Sequence, residues 1–122
     1  VLSGGQTRPG VGARNEGRSY FQAAEQLGWL EGELYDRTVL EEHARDSLEN
    51  LLFSLCRFHQ VTGHYPKRVT VVGFPFKARR FITLHRQAVA HLIREADFNY
   101  VGVELPDHPL DHIIDDAYPL FE

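Results

Sequence analysis

Three cations crowd one short stretch. Lys77, Arg79 and Arg80 follow the apolar run Val71-Val72-Gly73 and a Phe74-Pro75-Phe76 bend. They fall where a helix is expected to begin. A cation there is disfavoured by about 0.3–1 kcal/mol, because a helix N-terminus carries about half a positive charge. Arg8, Arg14 and Arg18 flank the expected start of another helix in the same way. Local rules are broken most often where function demands it. A bound anion, held by backbone amides and Arg forks, would reconcile the pattern. Solvated surface cations pairing with nearby acids would also account for it.

Other residues carry chemistry at other places. Ser3-Gly4-Gly5 follows a short apolar start, and glycines there would let backbone amides approach a phosphate or make an ordinary turn. The stretch is neither a Walker loop nor a G-x-G-x-x-G fingerprint. Glu16 reads as a catalytic carboxylate or as a favourable first-turn acid. Glu49 and Asn50 stand in the first turn of a helix, where Glu49 faces a ligand crevice or completes a cap. Cys56 lacks a low-pKa context and reads as a buried structural thiol. His108 and His112 lie four apart among Asp107, Asp111, Asp115 and Asp116. That spacing reaches a metal, but an exposed acidic tail fits the composition better, so no metal is expected. G-x-S-x-G, H-E-x-x-H and C-x-x-C are absent from the sequence.

These residues need elements to position them. Val1 to Ser3 reads as a strand running into the glycine turn, and residues 6–14 as loop. Asn15 to Leu27 predicts a helix, with Tyr20, Ala23, Ala24 and Leu27 at helical spacing and Gly28 as its stop. Thr38-Leu40 is a candidate short strand. Asp46 and Glu49 form a D-x-x-E capping pattern ahead of the stripe Leu48, Leu51, Leu52, Leu55, Phe58 and His59, and Thr62-Gly63 ends that helix. "RVTVVGF" predicts a buried strand, about 77–93 a third helix, and "FNYVGVEL" a further strand. Strands alternating with helices imply an α/β fold with a mainly parallel sheet, whose ligands sit beyond the carboxyl ends of the strands. Ser3-Gly4-Gly5, Lys77 and the start of the Asp46 helix would share that edge. Residues 1–105 are expected to form one domain and 106–122 an acidic C-terminal tail.

Composition narrows the function classes. The chain has 122 residues, 43% apolar, with a formal net charge of −4, which disfavours a general nucleic-acid binder. No apolar run approaches membrane-spanning length. Val1-Leu2 reads as a strand already under way, so at least one strand is expected upstream. A single cysteine excludes an intrachain disulfide framework. No basic-then-apolar leader is seen, and the single Cys56 leaves the redox compartment open with a mild lean to an intracellular setting.

Together "SGGQTR", "ARDSLENLLFSLCRF", "TGHYPKRVTVVGFPFKARRF" and "LHR" resemble the domain of unknown function 218, the family of SanA, YdcF and ElyC, and its fungal-type branch most closely. The likeness runs from Ser3 to about Gly102. It implies a Rossmann-like three-layer sandwich whose first strand lies before Val1. It also implies that Ser3, Gly4, Gly5, Glu16, Glu49, Asn50, Lys77 and Arg80 occupy the family's motif positions, and that S-adenosylmethionine or a nucleotide is a candidate cofactor. One departure stands out: the bacterial pattern has a histidine where this chain has Lys77. Imidazole exchanges protons near neutral pH, whereas an ordinary lysine stays charged and suits a phosphate or carboxylate.

Two functions follow as expectations. One is a small-molecule-binding domain, with Lys77, Arg80 and Arg8 on an anion, Ser3, Gly4, Gly5 and Asn50 lining the pocket, and Glu16 or Glu49 as acid/base. The other is a non-catalytic module that contacts other protein subunits.

Overall fold

A computed structural model describes residues 1–5 and 16–104. The chain divides into two compact units, Val1–Pro66 and Lys67–Glu122. Arg8 and the tail beyond residue 104 lie outside the described residues.

The first unit is built on a short parallel pair. Strand β1 (Leu2–Ser3) lies beside β2 (Leu40–Glu41), with Leu2 opposite Leu40 and Ser3 opposite Glu41. The expected strand at Thr38-Leu40 is therefore displaced toward Glu41. Two helices, α1 (Glu16–Gln26) and α2 (Glu33–Asp36), fall between the strands. Gly28 stops α1 as expected. It takes φ 74°, and its N–H reaches Glu25 O while Trp29 N–H reaches Ala24 O, the paired bonds of a Schellman end. The inward face of α1 differs from the expected stripe. Tyr20 and Leu27 are exposed, and Gly17 is buried instead. A Cβ at Gly17 would come within 2.7 Å of Glu41 O and 3.0 Å of Leu2 O, so the helix lies directly against both strand backbones. That close approach fixes which face turns in.

Helix α3 (Ser47–Thr62) matches its pattern most closely. Asp46 caps it by accepting Glu49 N–H at 2.8 Å, and Leu51 and Leu55 are buried along the stripe. Cys56 is exposed, which corrects the buried-thiol reading. One helical step past Leu55 turns it about 100° away from the buried line.

In the second unit β3 (Val69–Gly73) pairs parallel with β4 (Phe98–Gly102), Val69 opposite Phe98 and Gly73 opposite Gly102. The expected continuous helix over 77–93 is broken into pieces. A 3₁₀ turn covers Pro75–Lys77, and the chain is helical over 78–88 with π geometry across Arg80–His85. Arg86 N–H reaches back five residues to Phe81 O. From 89 to 93 the chain is turn, yet Val89 and Ile93 are buried together with Phe81. Burial of those three apolar side chains outweighs regular helix geometry. Strand β3 is half-buried on one face, while Val72 on the other is 67% exposed.

The described chain thus mixes helices with short parallel sheets. Among the described residues no helix is long and apolar enough to cross a membrane.

Candidate functional site

At the carboxyl end of β1 the polar groups meet around one carboxylate that the sequence did not single out. Glu41 is 4% exposed. Its Oε1 accepts Ser3 Oγ–H at 2.6 Å, and its Oε2 accepts His43 N–H at 2.5 Å and Ala44 N–H at 2.9 Å. Ser3 Oγ also lies 2.9 Å from Asn50 Oδ1. A hydroxyl has one proton, and the nearer carboxylate is the stronger acceptor. Turning the Asn50 amide over would let its NH₂ donate to Oγ. Ser3, Glu41 and Asn50 thereby tie β1, β2 and α3 together.

The glycine turn serves the same junction. Gly4 N–H donates to Glu41 O at 2.9 Å and Gly5 N–H to Ala44 O at 2.7 Å. Both amides are therefore spent within the chain. A Cβ at Gly4 would fall 2.5 Å from Glu16 Cβ, so glycine is what lets the turn touch the start of α1. Glu16 Oε2 lies close by, 3.0 Å from that same position.

Glu49 faces Arg45. Its Oε1 accepts Arg45 N–H at 2.9 Å, and the guanidinium Nε stands 3.2 Å away. The capping box is thus closed one residue early, on Arg45 instead of Asp46. The hydrogen bond from the Arg45 side chain holds the Glu49 carboxyl below its ordinary value. A lowered folded-state value means the pair supports the fold above the unfolded value and loses that support as pH falls through the folded one. Glu49→Gln should therefore lower the urea midpoint slightly at pH 7, and the gap to wild type should narrow as pH falls below the ordinary carboxylate range. A gap that is unchanged as the pH is lowered would show that the pair is not its source. Arg18, another of the flanking cations, donates to Glu42 at 3.1 Å.

The second unit holds the remaining candidates. Lys77 closes the 3₁₀ turn and is 8% exposed, its Nζ 6.0 Å from the Phe76 ring centre. Arg80 begins the π-helical turn three residues later and is half-buried. Among the described residues no carboxylate pairs with Arg80.

No family model matches the chain, and no solved structure matches it. The chain is similar to the Uncharacterized protein YOR238W of Saccharomyces cerevisiae, 36% identical over 64 residues. That stretch is 52% of this chain and 20% of the yeast protein, so the match spans about a fifth of that relative's length.

An open cavity of about 650 Å³ lies beside β2 and α3, with Leu40, His43, Phe53, Cys56 and Arg57 in its wall. Arg57 Nε donates to Leu40 O at 3.0 Å there. None of the described candidate ligand-binding residues lines it. Among the described residues no group of three or more His, Cys, Asp or Glu side chains could hold a metal. His108 and His112 lie outside the described residues.

The signal that could have found Glu41 is positional. In dinucleotide-binding βαβ units an acidic residue stands at the end of the second strand. Glu41 ends β2, but its carboxylate turns inward to the chain's own donors.

Proposed function

We propose that the chain is part of a Rossmann-like α/β domain, a three-layer sandwich with a mainly parallel sheet. It binds an anionic small molecule, nucleotide-like or phosphorylated, through Lys77 and Arg80. Two parallel strand pairs, each with helical segments in the connection, support the fold, since parallel strands require such crossovers. The observation that carries the function is Arg80: a half-buried guanidinium without a carboxylate partner among the described residues, three positions after the buried Lys77. Even partial burial of the Arg80 guanidinium favours an anionic partner, and a ligand phosphate or carboxylate would supply one. S-adenosylmethionine and nucleotides are the cofactor candidates from the family resemblance. Glu49 is committed to Arg45 and is set aside as an acid/base candidate.

A thermal-shift panel of nucleotides, S-adenosylmethionine and sugar phosphates on the full chain tests this. Selective binding to the folded state raises the midpoint, with about 2.7 kcal/mol of stabilisation at a hundredfold excess over Kd. An unmoved midpoint across the panel would leave the second reading, a protein-interaction module. That reading draws on the outward face of β3 and β4, where Val72, Val101 and Val103 are exposed although parallel sheets are normally covered on both faces.

A further inference from the structure

We propose that Tyr100 is a positioning residue for the Lys77–Arg80 anion grip, a role that rests on the anion-binding reading above. Tyr100 stands in β4, and its hydroxyl donates to Phe74 O at 2.6 Å. The same carbonyl accepts Lys77 N–H at 3.1 Å. Phe74 precedes the 3₁₀ turn that ends in Lys77, so one carbonyl joins the strand-borne phenol to the turn that presents the cation.

The strand ends are shaped for this contact. Gly73 and Gly102 are direct cross-strand partners at the carboxyl ends of β3 and β4. A Cβ at Gly73 would lie 2.6 Å from the Tyr100 hydroxyl, so a side chain there would push the phenol off its acceptor. A Cβ at Gly102 would lie 3.1 Å from Pro75 Cα, so the absence of a side chain lets the turn settle onto β4. Val103 N–H donates to Gly73 O at 2.8 Å and closes the pair behind them. The Tyr100 ring is itself held, its centre 5.4 Å from that of the buried Phe81. Burial also raises the phenol above its ordinary value, so it remains a proton donor through neutral pH.

A pinned turn matters because a charged grip works only when its groups are already in place. Ordering a free turn at the moment of binding would be charged against affinity. Tyr100→Phe removes one oxygen and keeps the ring against Phe81. Gly73→Ala reaches the same end by another route, displacing the hydroxyl without removing it.

The experiment is thermal-shift and calorimetric titration of the full chain with ATP, inorganic pyrophosphate and inorganic phosphate, in wild type and both variants. The expected result is binding of at least one probe to wild type, weakened about tenfold in each variant, as loss of one ordering hydrogen bond implies. The circular dichroism spectrum should be unchanged. Probe affinity is the readout that a merely structural tyrosine would leave alone. Wild-type affinity retained in both variants overturns the role of Tyr100 and leaves the anion reading standing. A wild-type chain indifferent to all three probes overturns the anion reading and the role of Tyr100 with it.

Discussion

Replacing Glu41 with alanine is expected to unfold the Val1–Pro66 unit at temperatures where wild type is intact. The carboxylate accepts three hydrogen bonds, from Ser3 Oγ, His43 N and Ala44 N, and it is buried. Alanine takes the acceptor from the His43 and Ala44 amides, while the Ser3 hydroxyl can turn to Asn50 Oδ1. Each buried donor so stranded costs about 1–3 kcal/mol. The sum is a large fraction of the 5–15 kcal/mol that separates folded from unfolded states of ordinary domains. At about 4–8 °C per kcal/mol for a domain of this size, the melting midpoint should fall by more than about 8 °C. Glu41→Gln should fall between the two, because one oxygen remains an acceptor while the new NH₂ opposes a donor. Circular dichroism melts of the three chains decide it. An alanine variant melting within about 2 °C of wild type would mean that water reaches those donors and Glu41 is not the junction described.

Glu41 also marks where the sequence stops being readable. In "VLEEHAR" it looks like one of two surface acids, because β2 has only two residues and shows no alternation. The groups that satisfy it come from positions 3, 43, 44 and 50, and only the folded chain brings the first and last of these to it. Helix α3 was legible for the opposite reason. Its cap, its leucine stripe and its glycine stop are all local, and each reports the same helix. The end of α1 was legible at Gly28, but its inward face was not. Gly17 has no side chain to enter a hydrophobic pattern, yet backbone contact at that point sets the rotation of the helix. The π-helical turn at Arg80–His85 was invisible because it depends on where Phe81, Val89 and Ile93 are buried. Of the candidate site, Ser3, Gly4, Gly5, Glu16 and Asn50 do gather at one junction. Arg45 as the partner of Glu49 sits four residues away, and an exposed pair at that spacing is only weakly specified by sequence.

Arg80→Ala is expected to abolish most ligand affinity while leaving the fold unharmed. Among the described residues its guanidinium supports no ion pair, so its removal strands no carboxylate there. Surface changes that break no such contact usually move stability by no more than about 0.5 kcal/mol, and the half-buried Arg80 should stay near that range. A charge-assisted hydrogen bond to a phosphate is worth about 1.5–3 kcal/mol, which corresponds to roughly a 10- to 150-fold loss of affinity. Lys77→Gln should weaken binding as well, but Lys77 is buried and its replacement will also disturb the turn, so Arg80 separates binding from folding more cleanly. Binding that depends on these charges should also weaken as salt is raised.

The central claim is that Lys77 and Arg80 hold an anionic ligand. Its most direct test is calorimetric titration of the best-stabilising phosphorylated compound into wild type and Arg80→Ala at low salt. The account predicts binding by wild type, at least tenfold weaker binding by the variant, and the same melting midpoint for both unliganded chains. Equal affinity in the two chains would contradict it.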